Sequence, residues 1–346
     1  MMEKFYRFGS ILCSLLVGCL WSCQQKSATI EYRLPAFKEV VTRSLTPVGD
    51  TLDDLPSYLE VVGDYMIMQH RSLSNEQLFH VYNRHTGEYV RSFGHQGRAA
   101  EELLLPVSYV FTDADGKAVV AGKCNDVKLL TFRLDSLADD RVPVQMQKLT
   151  EPLSFTHFFK LGKDRYLGAY GRFRFTLYDA RLNPVDTCDY YSETWKGAEP
   201  EAMKDYYFYA SACEAKPDGT KFMNFTIAGP ILEIFDVKDN RIEPAVTRYF
   251  AKPVYKESGI PEWDKNVSGA RSSCPTDAYI YALWNGTEEE HAKVDKVSVF
   301  DWEGRPVKQY VLGENLLRLV IKEELGKGYV VYVDDEFQYR WGSFDL

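Results

Sequence analysis

The sequence predicts an all-β protein, a six-bladed antiparallel β-propeller closed by its N-terminal strand. The first observation is a repeat in which two apolar runs are joined by a turn, and the second run ends in an aromatic residue with Asp or Asn. The second is the spacing, because the units start roughly 45–65 residues apart, as propeller blades do and helical solenoids do not. The third is composition, since 23 Tyr and 20 Phe suit pleated strands, where rings pack against cross-strand neighbours.

Each unit of the repeat contains two pairs of apolar runs. In the second halves, apolar residues recur at a period near two around a polar turn, which is typical of half-buried strands. Gly-Asp, Asp-Gly, Lys-Asp and Lys-Gly pairs stand in mid-unit, where a hairpin must reverse. The predicted units are, in order, 58–70 with the segment from Leu78, 107–124 with 127–137, 155–171 with the segment from Arg174, 209–226 with the segment from Ile231, 275–286 with the segment from Lys296, and 316–335 with 338–346.

The last unit is one strand short at Leu346. Residues Thr29–Val41 are strand-like and precede the first unit, so we expect them to supply the missing strand. Closing the ring in this way removes exposed sheet edges. Because the repeat runs almost end to end, we expect one propeller domain over residues 29–346, a length of roughly 320 residues that buries enough surface for a single core.

Two stretches interrupt the repeat. Ser192–Tyr206 joins the third and fourth units and contains helix-compatible residues. Lys252–Ser273 joins the fourth and fifth units and is rich in Gly, Pro, Ser and charged residues. Long connections on a rigid scaffold are where binding function tends to be carried, so these two stretches are candidates for it.

The first residues predict export from the cytoplasm. Lys4 and Arg7 form a basic start, and the apolar stretch Phe8–Leu20 follows them. That stretch is too short to span a bilayer permanently, which takes about 20 apolar residues. We therefore expect residues 1–22 to be a signal peptide.

The end of the signal predicts a lipid anchor. The sequence LWSC, ending at Cys23, resembles a bacterial lipobox, which implies acylation of Cys23 and a lipid-anchored tether over residues 23–28. Cys19, in LVGC, is the alternative acylation site, and an ordinary cleaved signal peptide is the third alternative. The expected address is the cell envelope, as an outer-membrane lipoprotein that faces the periplasm or the cell surface.

The charge of the chain excludes some partners. The formal net charge is −9 and no basic stripe interrupts it, so phosphate backbones are repelled and no nucleic-acid partner is expected. The same repulsion weakens direct binding to anionic lipid, so the acyl chains are expected to hold the protein at the membrane. The cysteines after the signal are widely separated, which favours buried free thiols, although export permits disulfides. They are Cys124, Cys188, Cys213 and Cys274.

No local motif for catalysis stands in the sequence. It contains no G-x-S-x-G, no G-x-x-x-x-G-K-[ST] and no H-E-x-x-H, and its His residues never pair at metal-ligand spacing. Asp113 and Asp115 resemble the start of a calcium loop, but Cys124 stands where the last acidic ligand belongs, so a hairpin turn is favoured. We therefore predict no catalytic residue, no metal ligand and no cofactor, although propeller enzymes do assemble sites from distant blades.

A binding rim is predicted from two kinds of residue. The loop from His95 to Glu102 leaves an outer strand and enters the next inner strand, which places it on one face near the central channel. Aromatic residues in the long connections are favoured anchors for a protein, peptide or glycan. The alternatives are a solvated loop whose Arg–Glu pair contributes little and rings that pack the connections onto the disc. The predicted rim residues are His95, Gln96, Arg98, Glu101, Glu102, Trp195, Tyr206 and Trp263.

Four segments share the order and spacing of a known family. They are FGHQGRAAEELL (93–104), AKPDGTKFMNFTIAGPILEIFDV (215–237), AYIYALWNG (278–286) and VFDWEGRPVKQYVL (299–312). Together they resemble the TolB-like six-bladed propeller lipoproteins of gut-type Gram-negative bacteria, which implies the fold and an envelope location but no substrate. Where related loops carry Gly-Pro-Gly, this chain has Ala99, Ala100 and Glu101, so an anion-cradling role does not transfer to this loop.

Two classes of function are open from the sequence. The leading expectation is a lipid-anchored, non-catalytic binding or scaffolding module that presents a propeller face to an envelope protein, peptide or glycan. The alternative is a metal-dependent hydrolase or lyase with its site in the central channel, which needs several Asp, Glu, Asn or His side chains around an ion. Three or more such side chains converging on one point would favour the enzyme, and scattered polar groups would favour binding.

Overall fold

The computed structural model describes residues 30–70, 77–97, 99, 101–103, 107–112, 118–124, 128–134, 144–148, 157–192, 211–256, 261–287 and 293–346. The chain divides into two compact units, Met1–Glu31 and Tyr32–Leu346. The second unit contains every strand of the described residues. The predicted signal peptide, the tether, Cys19 and Cys23 all lie outside those residues, as do Asp113 and Asp115.

The described chain is built almost entirely from strands. Its helix content is a short 3-10 turn at Glu323–Leu325. Within the described ranges, no helix is long and apolar enough to cross a membrane. The strands are β1 (Glu39–Thr42), β2 (Thr46–Leu52), β3 (Tyr58–Val62), β4 (Tyr65–Gln69), β5 (Gln77–Asn83), β6 (Tyr89–His95), β7 (Val107–Thr112), β8 (Ala118–Cys124), β9 (Lys128–Arg133), β10 (Val144–Lys148), β11 (His157–Leu161), β12 (Arg165–Ala169), β13 (Phe175–Asp179), β14 (Pro184–Cys188), β15 (Ala212–Ala215), β16 (Lys221–Phe225), β17 (Ile231–Lys238), β18 (Arg241–Tyr249), β19 (Ser273–Pro275), β20 (Ile280–Leu283), β21 (Lys296–Phe300), β22 (Pro306–Val311), β23 (Asn315–Lys322), β24 (Lys327–Val333) and β25 (Tyr339–Asp345).

These strands form six sheets, which are the blades of the propeller. Blades 1 to 5 are β3–β6, β7–β10, β11–β14, β15–β18 and β19–β22, and blade 6 is β23–β25 with β2. The first strand of each blade contacts the first strand of the next, from β3 to β7, β11, β15, β19 and β23, and β23 contacts β3. The predicted fold class, an all-β six-bladed propeller, is confirmed.

The strand that completes blade 6 differs in position from the prediction. β2 pairs antiparallel with β25, whereas the sequence placed this strand at Thr29–Val41. β1, at the end of that segment, instead pairs in parallel with β22 as a fifth strand of blade 5. Pro47 and Gly49 make β2 resemble a turn in the sequence. Since β2 is an edge strand, the missing proline N–H costs little there.

The segment before β1 crosses the junction of blades 4 and 5. The N–H of Arg33 donates to the carbonyl of Tyr249 at 3.0 Å. The ring of Phe37 meets Phe300 edge-on at 5.6 Å between centroids. Leu34 packs against the same apolar cluster as Phe37. The chain is therefore fixed to two blades before it reaches the strand that completes the ring.

The hydrophobic core lies between neighbouring blades. Between blades 6 and 1, Met66 packs in one cluster with Val331 and Trp341. Between blades 3 and 4, the rings of Phe175 and Phe222 meet edge-on at 4.9 Å. Full burial of such side chains stabilises the fold by about 1.5–3 kcal/mol each, so the ring is held by contacts from every blade to the next.

The Asp of the repeated sequence closes its hairpin turn. The carboxylate accepts two backbone N–H groups, from the residues two and four positions later. The residues that do this are Asp179, Asp301 and Asp334. Blade 4 uses a different device, since Asp239 and Asn240 have φ of 50° and 58° in a two-residue turn. In the repeat, the Asp that follows Tyr178 or Phe300 thus closes the turn to the fourth strand, and Asp334 does the same for the turn between β24 and β25.

Neighbouring blades approach most closely at glycines. A Cβ on Gly87 would lie 2.2 Å from the Cα of Gly49, and Gly87 has φ of +77°. A Cβ on Gly219 would lie 2.5 Å from the backbone nitrogen of Gly162. Since both contacts are between backbones, no side-chain movement relieves them, and only glycine fits at Gly87 and Gly219.

The described thiols are free. Cys188 and Cys213 are buried, and Cys274 is partly buried. Burial raises the pKa of the Cys188 and Cys213 thiols. At neutral pH these side chains are therefore uncharged and behave as small apolar groups.

Candidate binding face and central channel

The order of the strands places the long connections on one face of the ring. Successive connections in an antiparallel blade alternate between its two ends, so connections that leave the fourth strand share a face with loops between the second and third strands. We call this the connection face. It includes the turn between β24 and β25 and the described parts of three connections, which are residues 96–97, 99, 101–103, 189–192, 211, 250–256 and 261–272. Of the predicted rim residues that the structure describes, Gln96, Glu101, Glu102 and Trp263 belong to this face, and His95 ends the strand beside it.

The loop after β6 is closed by its own hydrogen bonds. The N–H of Leu103 donates to the carbonyl of His95 at 2.9 Å. The carboxylate of Glu102 turns back into the loop, where it accepts the N–H of Ala99 at 2.8 Å. His95 and Glu101 are exposed. Of the rim residues in this loop, Glu102 is therefore committed to the loop itself, while His95 and Glu101 face solvent.

The other predicted rim residues divide into two groups. Gln96 is half-buried and forms an isolated parallel bridge with Leu103. Arg98, Trp195 and Tyr206 lie outside the described residues. The structure therefore gives no position for the aromatic anchors that were predicted in the third connection.

Trp263 stands on a fixed support in the connection between blades 4 and 5. Its side chain is 40% exposed. Next to it, the buried amide of Asn266 donates to the carbonyls of Val254 and Glu262 at 2.7 and 2.8 Å and accepts the N–H of Val254 at 2.8 Å. A single buried side chain thus fixes this part of the connection, and the tryptophan ring is presented from it.

Phe337 is the most exposed large apolar side chain of the described residues. It lies in the turn between β24 and β25, on the connection face, and is 87% exposed. Its φ is +62°, in the left-handed region that non-glycine residues rarely adopt. The turn is held by Asp334, which accepts the N–H groups of Glu336 and Gln338 at 3.0 and 2.9 Å. A phenyl ring is therefore kept in solvent by a strained, well-bonded turn.

A buried ion pair joins blades 3 and 4. Arg174, just before β13, pairs with Glu233 on β17, and one of its nitrogens donates to Glu233 Oε1 at 3.1 Å. The same guanidinium donates to the carbonyl of Tyr190 at 2.6 Å. Asn224 donates to the other carboxylate oxygen of Glu233 at 3.1 Å. The pair therefore joins blade 3 to blade 4 and fixes the described start of the connection over 189–211.

The pKa values of Arg174 and of Tyr170 beside it are both raised. Burial alone would lower the pKa of Arg174, but the Glu233 carboxylate raises it above its ordinary value. Burial raises the pKa of the Tyr170 hydroxyl well above its usual range. That hydroxyl bonds to Ser211, at the described end of the same connection, at 2.6 Å. The network is thus a permanent support rather than an acid–base site.

Charged side chains lie on the inner strands that surround the centre of the ring. Glu60 on β3 pairs with Lys322, at the end of β23, at 2.7 Å. The charge of Glu60 also raises the pKa of Glu214 on β15. Because blades 1 and 4 are opposite in a ring of six, the two carboxylates influence each other across the central channel.

The channel groups are adapted to low solvent access. Burial, and secondly the charge of Glu60, raises the pKa of Glu214 to about 8, so Glu214 carries a proton at neutral pH. Burial raises the pKa of Cys274 on β19 to about 12. Its Sγ accepts the N–H of Ile321 at 3.2 Å. The groups described on the inner strands therefore include the ion pair of Glu60 with Lys322, an acid and a thiol, the last two with raised pKa values.

The described side chains do not converge on a metal position. In the part of the chain that the structure describes, no group of three or more His, Cys, Asp or Glu could hold a metal ion. The polar groups of the described channel are scattered over several blades.

Sequence reasoning missed most of these residues. Glu60 interrupts the apolar strand YLEVV, and Glu214 interrupts ACEA, so a charge inside an inner strand was the available signal. Arg174 and Glu233 are far apart in sequence, and nothing local marks them as partners. Phe337 follows three acidic residues in a turn and resembles an ordinary loop position.

A match to a known protein family agrees with the six-bladed fold. A sequence profile described as TolB-like 6-blade propeller-like matches residues 36–324, and no curated protein matches the sequence. The β-propeller domain of Cps50 (Swd1) from Myceliophteria thermophila is 11% identical, with 88% of this chain and 99% of that chain covered and a TM-score of 0.44. The WD40 domain of coronin from Toxoplasma gondii is 9% identical, with 82% of this chain and 66% of that chain covered and a TM-score of 0.42. At such TM-scores these likenesses carry no argument about this chain. The profile match covers most of the sequence and agrees with the six blades, and the protein belongs to the TolB-like six-bladed propeller family.

Proposed function

We propose that the protein is an exported, lipid-anchored propeller whose connection face binds a protein, peptide or glycan of the cell envelope without catalysis. The observation that carries the proposal is Phe337, a phenyl ring that is 87% exposed in a turn with φ of +62°. The backbone strain at Phe337 costs stability in the free protein, and the exposed ring gains no burial that would offset it. Their coincidence on one face is accounted for if the ring is covered by a partner.

A second aromatic supports the same face. Trp263 is 40% exposed on a connection fixed by the buried amide of Asn266. Tryptophan and other aromatic side chains dominate the energy of many interfaces. A support that is rigid before binding reduces the entropy lost on association. The buried pair of Arg174 and Glu233 gives the neighbouring connection a similar support.

The metal-dependent hydrolase or lyase gains no supporting observation from the described channel. Glu60 is neutralised by Lys322, and Glu214 is protonated at neutral pH because its pKa is about 8. Neither arrangement favours a divalent cation, which prefers several ionised oxygen ligands. Metal analysis of the purified protein tests this alternative, and stoichiometric calcium or zinc would revive it.

The proposed address follows from the sequence LWSC before Gln24. It places the acyl chains on Cys23 and removes residues 1–22. The anchor then holds the propeller at the membrane without contact between its acidic surface and anionic lipid.

Site-specific photocrosslinking in intact source cells tests the binding face. A benzophenone side chain replaces Phe337 in one strain and Leu325 in the other. Leu325 is a matched control, because it is 41% exposed and lies between β23 and β24, on the opposite face. We expect a discrete covalent adduct from position 337 and none from position 325. Equal adducts at both positions, or none at either, would contradict the proposal.

A further inference from the structure

The outer edges of the blades are protected in different ways. An edge strand has unpaired backbone groups on one side and attracts other strands unless it is covered or interrupted. β1 covers the edge of blade 5 as a parallel fifth strand. Pro244 interrupts β18 of blade 4, and Pro47 interrupts β2 of blade 6. In β14 of blade 3 the proline stands at the first position, Pro184, so the rest of that strand keeps its N–H groups.

The edge of β14 borders a groove. The groove has a volume of about 620 Å³ and lies at the outer rim, where blade 3 meets blade 4. One wall is the stretch 185–187 of β14, and the other is the turn at 239–240 with the first three residues of β18, 241–243. Asp186 accepts the N–H of Ile242 at 2.7 Å and so joins the two walls. Among the described residues, no strand pairs with the outer side of β14.

The groove is lined by an exposed apolar side chain and by mostly acidic charged residues. Val185 is 40% exposed, an apolar side chain on an edge strand. Asp186, Asp239 and Glu243 line the groove, whereas Arg241 is its single cationic lining residue. The whole chain is also acidic, with a formal net charge of −9. Both the local and the overall charge attract a basic ligand.

We propose that the outer edge of β14 binds an extended, basic segment of a partner protein, which adds to blade 3 as a fifth strand. β1 shows that the outer strand of a blade in this molecule accepts such an addition. In strand addition the main-chain hydrogen bonds supply affinity and alternate side chains supply selectivity. Here the carboxylates of the groove select Lys or Arg, and Val185 packs against an apolar position between them.

This site is separate from the connection face. The turn that forms one wall joins a third strand to a fourth, so it lies at the opposite end of the blade from the connections that leave fourth strands. The two proposals therefore stand or fall independently.

A synthetic peptide tests the proposal with the purified protein. The probe is a fluorescent octapeptide that alternates Lys with Val or Thr, and the counter-probe carries Glu in place of each Lys. We expect anisotropy to show binding of the basic peptide and at least about tenfold weaker binding of the acidic one. A basic peptide with alternate backbone amides N-methylated removes strand hydrogen bonds without changing charge, and its binding is expected to fall by at least about tenfold.

Two lysine substitutions locate the site. Val185→Lys is expected to weaken binding of the basic peptide by at least about tenfold, because lysine on an edge blocks strand addition. Val90→Lys is the matched control, since Val90 is 42% exposed on β6, the outer strand of blade 1. This variant should bind the basic peptide as tightly as the wild type does. If Val185→Lys fails to fold by thermal unfolding, Glu243→Lys at an exposed groove position gives the same test.

Several results would overturn the proposal. Equal binding of the N-methylated peptide would show attraction by charge alone. An equal loss in Val90→Lys would place the binding elsewhere, and no binding of the basic peptide would remove the site. A dimer in sedimentation velocity that Val185→Lys disperses would assign the edge to a second copy of the chain.

Discussion

The guanidinium of Arg174 and the carboxylate of Glu233 form an ion pair that is enclosed between blades 3 and 4, with exposed fractions of 0% and 1%. Their shared contacts with Asn224 and the Tyr190 carbonyl satisfy most of their hydrogen-bonding groups. An enclosed pair adds little net stability when both partners are present, but loss of one partner leaves an uncompensated charge. The pair therefore fixes the relative position of two blades more than it stabilises the fold.

Removal of one partner should be costly. We expect Arg174→Met to lower the free energy of unfolding by about 3–5 kcal/mol, because Glu233 is left buried and unpaired. Lys327→Met is the control, since the Lys327–Asp345 pair is exposed and its loss should leave the free energy of unfolding nearly unchanged. Urea unfolding measures both. The double variant with Glu233→Leu should recover part of the loss, and a double variant no better than Arg174→Met would refute this account.

The contact between Gly87 and Gly49 gives a second prediction. Gly87→Ala should lower the free energy of unfolding by about 1–3 kcal/mol more than Gly63→Ala, because its Cβ would clash with the backbone of Gly49. Gly63 also has a positive φ, of +55°, but nothing lies within 4 Å of its Cβ position. The comparison separates the clash from the backbone strain. Equal losses in thermal or urea unfolding would show that the blades separate easily at this point.

The strained turn at Phe337 predicts a conflict between stability and binding. Phe337→Gly should raise the free energy of unfolding by about 1 kcal/mol, because glycine adopts a positive φ without strain. Val90→Gly, at an exposed position in strand β6, should lower it instead. Calorimetry measures the two shifts. A Phe337→Gly variant that is less stable than the wild type would mean that the ring packs in the free protein.

The raised pKa of Glu214 predicts a pH dependence. Its pKa is about 8 in the folded protein against 4.5 ordinarily, so the folded state holds the proton more tightly. The stability that it contributes is complete below about pH 4.5 and is lost as the pH rises through 8. Glu214→Gln should remove this loss, which cannot exceed about 1.4 kcal/mol per pH unit for one proton. The exposed Glu324→Gln should keep the wild-type pH profile of urea unfolding, and a profile unchanged by Glu214→Gln would contradict the assignment.

The proposed lipid anchor predicts a defined mature N-terminus. Mass spectrometry of protein extracted from the membrane fraction should find an acylated Cys23, and Cys23→Ser should leave the protein without that modification. Acylation at Cys19, or a free N-terminus, would contradict the choice of Cys23. Cys19→Ser is the control and should not change the modification.

The sequence predicted the fold through its local repeats. The turns closed by Asp179 and Asp301 depend on residues within four positions, so their pattern is visible in one dimension. The completing strand was misplaced because Pro47 and Gly49 hide β2, which is held by distant pairing with β25 and not by its own propensity. Local patterns predict hairpins, whereas closure of the ring depends on which sheet edge is left for a distant strand to pair with.

The candidate site was less predictable for the same reason. Glu102 belongs to a predicted rim, but its carboxylate is occupied by the N–H of Ala99, which only the folded loop reveals. The charge of Glu60 raises the pKa of Glu214 because the inner strands of opposite blades face one channel. The separation of the two residues in sequence gives no sign of this influence. Phe337 is a candidate because its φ is positive, and no residue pattern in the sequence predicts a positive φ for a phenylalanine.

The parallel pairing of β1 with β22 also decides how the molecule responds to a pulling force. A load on the N-terminus is carried first by the contacts of Arg33 and then by β1, whose hydrogen bonds to β22 share it along the strand. β2 feels tension only after β1 has detached. A force applied at the described N-terminal end would therefore have to separate β1 from β22 before it reached the pairing of β2 with β25.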